Sequence, residues 1–266
     1  MRVLTLTKTL KQMVAMDNST TTNSYNLATS GLDITALFLG WQDPSSDLWL
    51  PVAKMTWAED LSQYCLRYTK GMEQAIAINP IEKSTFIHHP NRLYQSHITE
   101  GESLKFKSRM PLSRTSHVPR HQRWFGLAEE HPIDPIAYVA RSGGYRHQDT
   151  YNVFPEIRLD ADNCYHFYFL PLDPWEIQPD VYQRLLEYKS GHPLQIDSNK
   201  VRDGETLIGK LPGHLAEIAN SCPNAISINV AKVNPKSPHY YSLLVHARVD
   251  GRMYTPFTSV AYQTFQ

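Results

Sequence analysis

The stretch "ETLIGKLPGHLAEIANS", residues 205–221, decides how the second half of the chain is read. Its first residues alternate as a short strand, Pro212-Gly213 forms a tight corner, and Leu215, Ile218 and Ala219 fall on one face of the helix that follows. Strand, corner and helix in direct succession predict an α+β fold. They also leave Lys210 between two apolar positions at the end of the strand. A cation there is either aimed at a ligand or is an edge residue that carries its charge out to water.

Outward from this stretch the chain is rich in strand signals. "CYHFYFLPL", "PLQI", "AISINVAKV" and "YYSLLVHARV" read as strands. "QPDVYQRLLEYKSG" reads as a helix with Pro179 near its first turn and Gly191 just past its end. Residues 151–266 therefore form a β-dominated C-terminal domain with two helices. Upstream, "DITALFLGWQDPSSDLWLPVAKMTW" predicts a β-hairpin about Asp43, Pro44, Ser45 and Ser46. "QYCLRYTKGMEQAIAI" continues as a strand that breaks near Gly71 into a helical turn, and the chain is then loop-rich or built of short helices to about Trp124. "PIDPIAYVARSGGYRHQDTYNVFPEI" gives a short helix, a Ser-Gly-Gly turn at 142–144 and a strand ending at Pro155. Residues 31–150 are thus expected as an N-terminal β-rich module with a basic loop region. Residues 1–30 are expected as a flexible leader, with an amphipathic helix over "LTLTKTLKQMVAM" as the open alternative.

A chain of 266 residues, 41% of them apolar, can bury one large core or two moderate ones. No apolar run approaches the roughly 18 to 20 residues that cross a bilayer, and the N-terminus lacks a secretory pattern, so the expected location is the cytoplasm. Cys65, Cys164 and Cys222 are odd in number, widely spaced and expected as free thiols. The 26 basic residues balance the 26 acidic ones, so any surface for a polyanion must be local.

The order strand, helix, "PLQI" strand and "LIGKLPGHLAEIA" resembles a HIRAN domain, a small β-barrel-like module found fused to DNA helicases and nucleases or standing alone in bacteria. Ile208, Gly209, Leu211, Pro212, Leu215 and Ala216 match its closing element, and the likeness covers residues 151–222. The hairpin "LFLGWQDPSSDLWLPVAKM", the Arg/Trp-containing segment and the "ARSGG" turn are similar to the stand-alone bacterial type. The hairpin also resembles the small N-terminal β-subdomain of HipA-type kinases. The likeness implies a HIRAN-like barrel that binds DNA, with Lys210 facing the groove. The family's Asn-Pro-x-Asp-x-x-Ala-Ile/Val signature, which helps take a single-stranded DNA 3′ end, is incomplete in "DSNKVRDGETLIG". Asn199 stands at the Asn position, Lys200 replaces the Pro, Asp203 comes one residue late and the Ala-Ile pair is missing.

The strongest local sign of a partner is "SLKFKSRMPLSRTSHVPRHQRW", residues 103–124. It carries Lys105, Lys107, Arg109, Arg114, Arg120, Arg123, His117 and His121 with no carboxylate, and Trp124 or Phe106 as a stacking face. A solvated basic loop explains the same residues. "RSGGYRHQ" offers Arg141 and Arg146 about a Gly pair, as an anion cradle or as a plain turn. Lys200 and Arg202 extend a groove rim toward Lys210, and Trp175 and Tyr165 are stacking candidates or core residues. His88, His89 and His97 lack metal-site spacing, and no nucleophile elbow is present, so no catalytic residue, metal or cofactor is expected. The expected function is non-catalytic binding of DNA, single-stranded or junction. The alternative is a protein-interaction module serving as accessory subunit of a toxin–antitoxin or defence system.

Overall fold

The structure, a computed structural model, describes residues 34–46, 48–58, 63–79, 109, 118–129, 135–144, 150–171 and 179–265. The expected leader, residues 1–30, lies outside them. So do most of the basic segment and the 88–97 histidines.

The fold is α+β, with two antiparallel sheets. The first begins with the expected hairpin, β1 (Ile34–Gln42) and β2 (Trp49–Ala58). Its turn is held by Asp43, whose Oδ2 accepts from the Ser45 and Ser46 hydroxyls at 2.7 Å each. β3 (Gln63–Tyr68) pairs with β2 and runs into helix α1 (Lys70–Ile78). Helices α2 (Val118–Trp124) and α3 (Pro135–Ser142) follow, and then β4 (Tyr151–Ile157) closes the other side of β1. The strand order is β3-β2-β1-β4. A domain boundary at residue 151 would have assigned β4 to the C-terminal domain, yet its ladder belongs to the first sheet. Pro155 lies inside β4 rather than ending it, which costs no inner ladder bond because β4 is an edge strand.

β1 is buried on both faces. Leu37, Leu39 and Trp41 enter a core with Val52, Tyr68, Phe125 and Val139, while Phe38 points the other way onto Phe154 and Tyr262. That double burial is why its apolar residues run on without a polar alternate.

The second sheet holds β5 (Cys164–Phe169), β6 (Pro193–Asp197), β7 (Lys200–Asp203), β8 (Thr206–Lys210), β9 (Ile226–Val233) and β10 (Leu243–Asp250), in the order β5-β10-β9-β6-β7-β8. Among the described residues no ladder joins β5 to β8. Helix α4 (Pro179–Leu185) is shorter than expected. Its periodic pattern continues, but Leu186, Glu187 and Tyr188 donate to carbonyls three residues back, so the chain tightens into turns before Gly191 at φ +87°. β7 was not anticipated, since "KVRD" has a single apolar residue. Tight turns at Ser198 (φ 58°) and Gly204 (φ 56°) make it the middle of a meander. One face of the sheet packs Phe167, Val201, Ile208, Ile228, Val230, Val245 and Ala247 against Leu215 and Ile218 of helix α5 (Gly213–Ser221).

α5 joins the two sheets. A Cβ at Gly213 would lie 2.0 Å from Trp49 Cγ, so only glycine admits the indole this close. Next to it, buried His214 stacks on Phe154 at 4.4 Å between centroids. Below, Glu217 accepts from the Tyr262 hydroxyl at 2.5 Å. The segment after β10 then returns to the first sheet, where Lys70 N donates to Gln263 O and Thr69 bridges Thr264. Among the described residues no helix is long and apolar enough to cross a membrane.

Two outcomes follow from this joint. Gly213→Ala must displace the Trp49 ring, and its unfolding midpoint in urea should fall by the equivalent of roughly 1 to 3 kcal/mol. Burial lowers the His214 pKa from 6.5 to about 3. The depressed folded value means that the unfolded chain binds the proton first, so stability present above pH 6.5 is lost as pH falls toward about 3. His214→Phe should remove about 1.4 kcal/mol per pH unit from that acid slope in urea titrations.

Candidate nucleic-acid interface

Residues opposite the core side of the six-stranded sheet are set by register. Lys200 pairs directly with Lys210 across β7 and β8, next to the inward pair Val201 and Gly209. Asp197 and Gln195 of β6 pair with Lys200 and Arg202, so they share that face. On β10, His246 and Arg248 alternate with buried Val245, Ala247 and Val249, and they pair with Tyr168 and His166 of β5. Asn229 and Ser227 of β9 complete the row. Period-2 alternation therefore collects Lys200, Arg202, Lys210, His166, His246 and Arg248 on one side. Arg202 is held by Asp197 at 3.0 Å, and Arg248 is exposed.

The middle segment is placed differently from the expectation that its cations hold phosphates and its tryptophan stacks on bases. Arg141 is buried, donating from Nη1 to Phe125 O at 2.7 Å and Gly126 O at 3.3 Å while its guanidinium covers the Tyr168 ring at 4.2 Å. It fastens α3 to the turn after α2. Arg109 is also buried, with its stem against Gly144 and its guanidinium 5.8 Å from the Tyr151 ring centre. Arg123 is exposed but grips Glu129 through two bonds of 2.8 and 2.7 Å. Trp124 is 8% exposed and packs on His121 and Tyr241. Tyr165, the other described stacking candidate, is a core residue. Arg120 is exposed on α2. Arg114, Arg146 and Trp175 lie outside the described residues.

The Ser142-Gly143-Gly144 segment is a helix-ending turn. Gly143 (φ 67°) donates to Val139 O at 2.9 Å, and Gly144 (φ 55°) donates to the Ser142 hydroxyl at 3.2 Å. With these N–H groups engaged inside the turn, they are not gathered toward an anion. Asn199 sits in the β6–β7 turn, where its carbonyl accepts from Leu211 N at 2.7 Å and ties that turn to the Pro212 corner. The α2 end is also tied to the sheet, because Asn234 Nδ2 donates to Trp124 O at 3.0 Å and to Tyr241 O at 2.8 Å.

A hydrogen-bonded chain on the same face was not anticipated. Asp160, in the β4–β5 connection, lies 2.7 Å from His166 Nε2, and His166 Nδ1 lies 2.9 Å from His246 Nε2. The rings are parallel within 8°. Asp160 also accepts from Cys164 N at 2.8 Å and Asp162 N at 2.9 Å, and these bonds, the Cys164 one foremost, hold its pKa below the carboxylate range. Burial first, then the charges of His166, Arg141 and Arg248, lowers the His246 pKa to about 4. The signal was present in "CYHFYF" and "LLVHARV", where the histidines occupy the polar alternates of two strands. Only the pairing of β5 with β10 brings them together.

No family model, curated protein or solved structure matches the chain. Cys65 and Cys164 are buried free thiols, and Cys222 is a partly buried one. Among the described residues no three His, Cys, Asp or Glu side chains converge in a way that could hold a metal ion.

Arg141→Ala strips a charged donor from two carbonyls and should cost roughly 2 to 4 kcal/mol of stability in chemical denaturation. A phosphate-binding arginine would instead leave the unfolding midpoint near that of the parent.

Proposed function

We propose that the chain binds single-stranded nucleic acid without catalysing a reaction, along the part of the six-stranded sheet's outer face that α2 and α3 leave open, as a HIRAN-like module. The observation that carries this reading is the register that puts Lys200 directly opposite Lys210 and on the same side as Arg248. Cations gathered on one side of a sheet attract a polyanion, with Asp197 opposite Lys200 moderating their mutual repulsion. His166 and His246 set imidazole rings in the same row as the cations, while the Tyr168 ring is already covered by the Arg141 guanidinium. The run of β8 through Leu211 and the Pro212-Gly213 corner into α5 supports the HIRAN likeness. The barrel character belongs to that likeness, with α5 packed on the inner side of the sheet. DNA is the polymer the likeness favours.

On this reading Lys200, Lys210 and Arg248 hold phosphates, while Arg141 braces the same sheet through Tyr168. Labelled oligothymidylate should bind at low salt and weaken steeply as salt is raised. Each lost phosphate contact should flatten the slope of log affinity against log salt by about 0.7 for a single strand. Lys200→Ala, Lys210→Ala and Arg248→Ala together should therefore remove about two units of slope at unchanged stability. Silence at low salt dismisses the reading.

A further inference from the structure

The chain of hydrogen bonds through His166 has a property that follows from proton accounting alone. A neutral imidazole has one N–H and one acceptor nitrogen, and an imidazolium has two N–H groups. With Asp160 ionised and His166 neutral, His166 Nε2 donates to Asp160, so its Nδ1 must accept from His246 Nε2–H. His246 Nδ1 then carries a bare lone pair. With a proton added to His166, both of its nitrogens donate, His246 Nε2 accepts, and neutral His246 must carry its hydrogen on Nδ1. One proton taken up at the Asp160 end thus reverses the polarity of the hydrogen bond offered at the other end.

The surroundings direct that proton to His166. Asp160 faces His166, whereas burial first, and then the charges of His166, Arg141 of α3 and Arg248 of β10, disfavour a proton on His246. Asp250 of β10 is engaged by Arg252 through bonds of 3.0 and 2.7 Å, and Tyr168 lies beside His246 at 5.0 Å between centroids. β9 presents Asn229 opposite His246 and, further along, Lys232, whose ammonium donates to Arg123 O.

We propose that His246 Nδ1 and the Arg248 guanidinium form a subsite for one phosphate group, and that the Asp160–His166 pair sets whether His246 meets it as acceptor or donor. The identity of the polymer rests on the nucleic-acid reading above, while the subsite requires only phosphate chemistry. A phosphate oxygen accepts hydrogen bonds, so it selects the state in which His246 Nδ1 carries hydrogen. Phosphate binding therefore takes up a proton, and affinity rises as pH falls by at most about tenfold per unit.

Asp160→Asn tests the polarity directly. The Asn carbonyl oxygen can still accept from Cys164 N and Asp162 N, while its NH2 faces His166 Nε2 and makes that nitrogen an acceptor. The chain is then fixed in the donor state at His246. Nitrogen-15 NMR of the full chain should show His246 Nδ1 changing from unprotonated to protonated as pH is lowered. In Asp160→Asn it should be protonated throughout. Dimethyl phosphate, a diester that stays monoanionic, should shift that resonance at the acidic end. Oligothymidylate affinity should rise with acid in the parent and stay level in Asp160→Asn and in His246→Gln. A His246 Nδ1 signal indifferent to pH, or unmoved by dimethyl phosphate, overturns the subsite. Failure of oligothymidylate to bind, with the diester response intact, removes the nucleic-acid reading and leaves the phosphate subsite standing.

Discussion

The contact on which the rest depends is the approach of α5 to the first sheet. Gly213 lets Trp49 lie against the helix start, and His214 follows it onto Phe154. Trp49 is itself steadied by Asn152 of β4, whose Oδ1 accepts from the indole N–H at 3.2 Å. The same helix presents Leu215 and Ile218 to the second core. One element of nine residues thus packs into the second core and also touches Trp49 and Phe154 of the first sheet, and full burial there favours a neutral imidazole over a charged one. Besides that corner the two sheets are tied by the β4–β5 connection, by α2 and α3 against β5, β9 and β10, and by the return of the last segment.

Most elements were legible because their periodicities are clean. The β1–β2 hairpin, α3, β9, β10 and the strand–corner–helix at 205–221 all follow from alternation, turn chemistry or a one-sided helix face. The misreadings have particular causes. β7 has only Val201 to bury, so its strand character comes from the tight turns on either side. α4 stops at Leu185 because the carbonyls ahead of Leu186 are taken up by tighter turns. β4 belongs to the first sheet because ladder partners are chosen by apolar faces and not by proximity along the chain.

The candidate surface was legible in part. Lys200 and Lys210 do lie together, as neighbours across a ladder. The arginines of the middle segment looked like free cations because no carboxylate stands among them in sequence. In space, Arg123 is taken by Glu129, just past the end of that segment, and Arg141 of the Ser-Gly-Gly stretch is taken by backbone carbonyls. A sequence window tallies charge but cannot tell a guanidinium that faces water from one that caps a turn. The Asp160–His166–His246 chain was missed for the opposite reason, since its members are separated by up to 86 positions and become neighbours only through β5–β10 pairing.

The placement of β4 bears on how the chain is made. β1, β2 and β3 follow one another along the chain as a meander, but the strand that covers the open side of β1 begins only at Tyr151. Until then an apolar strand keeps an unpaired edge, the kind of edge that recruits neighbouring chains. Completion is later still for β3, because Phe265 donates to Tyr68 O from near the far end of the sequence. Such pairings across most of the chain make for slow folding, during which those edges stay open to association.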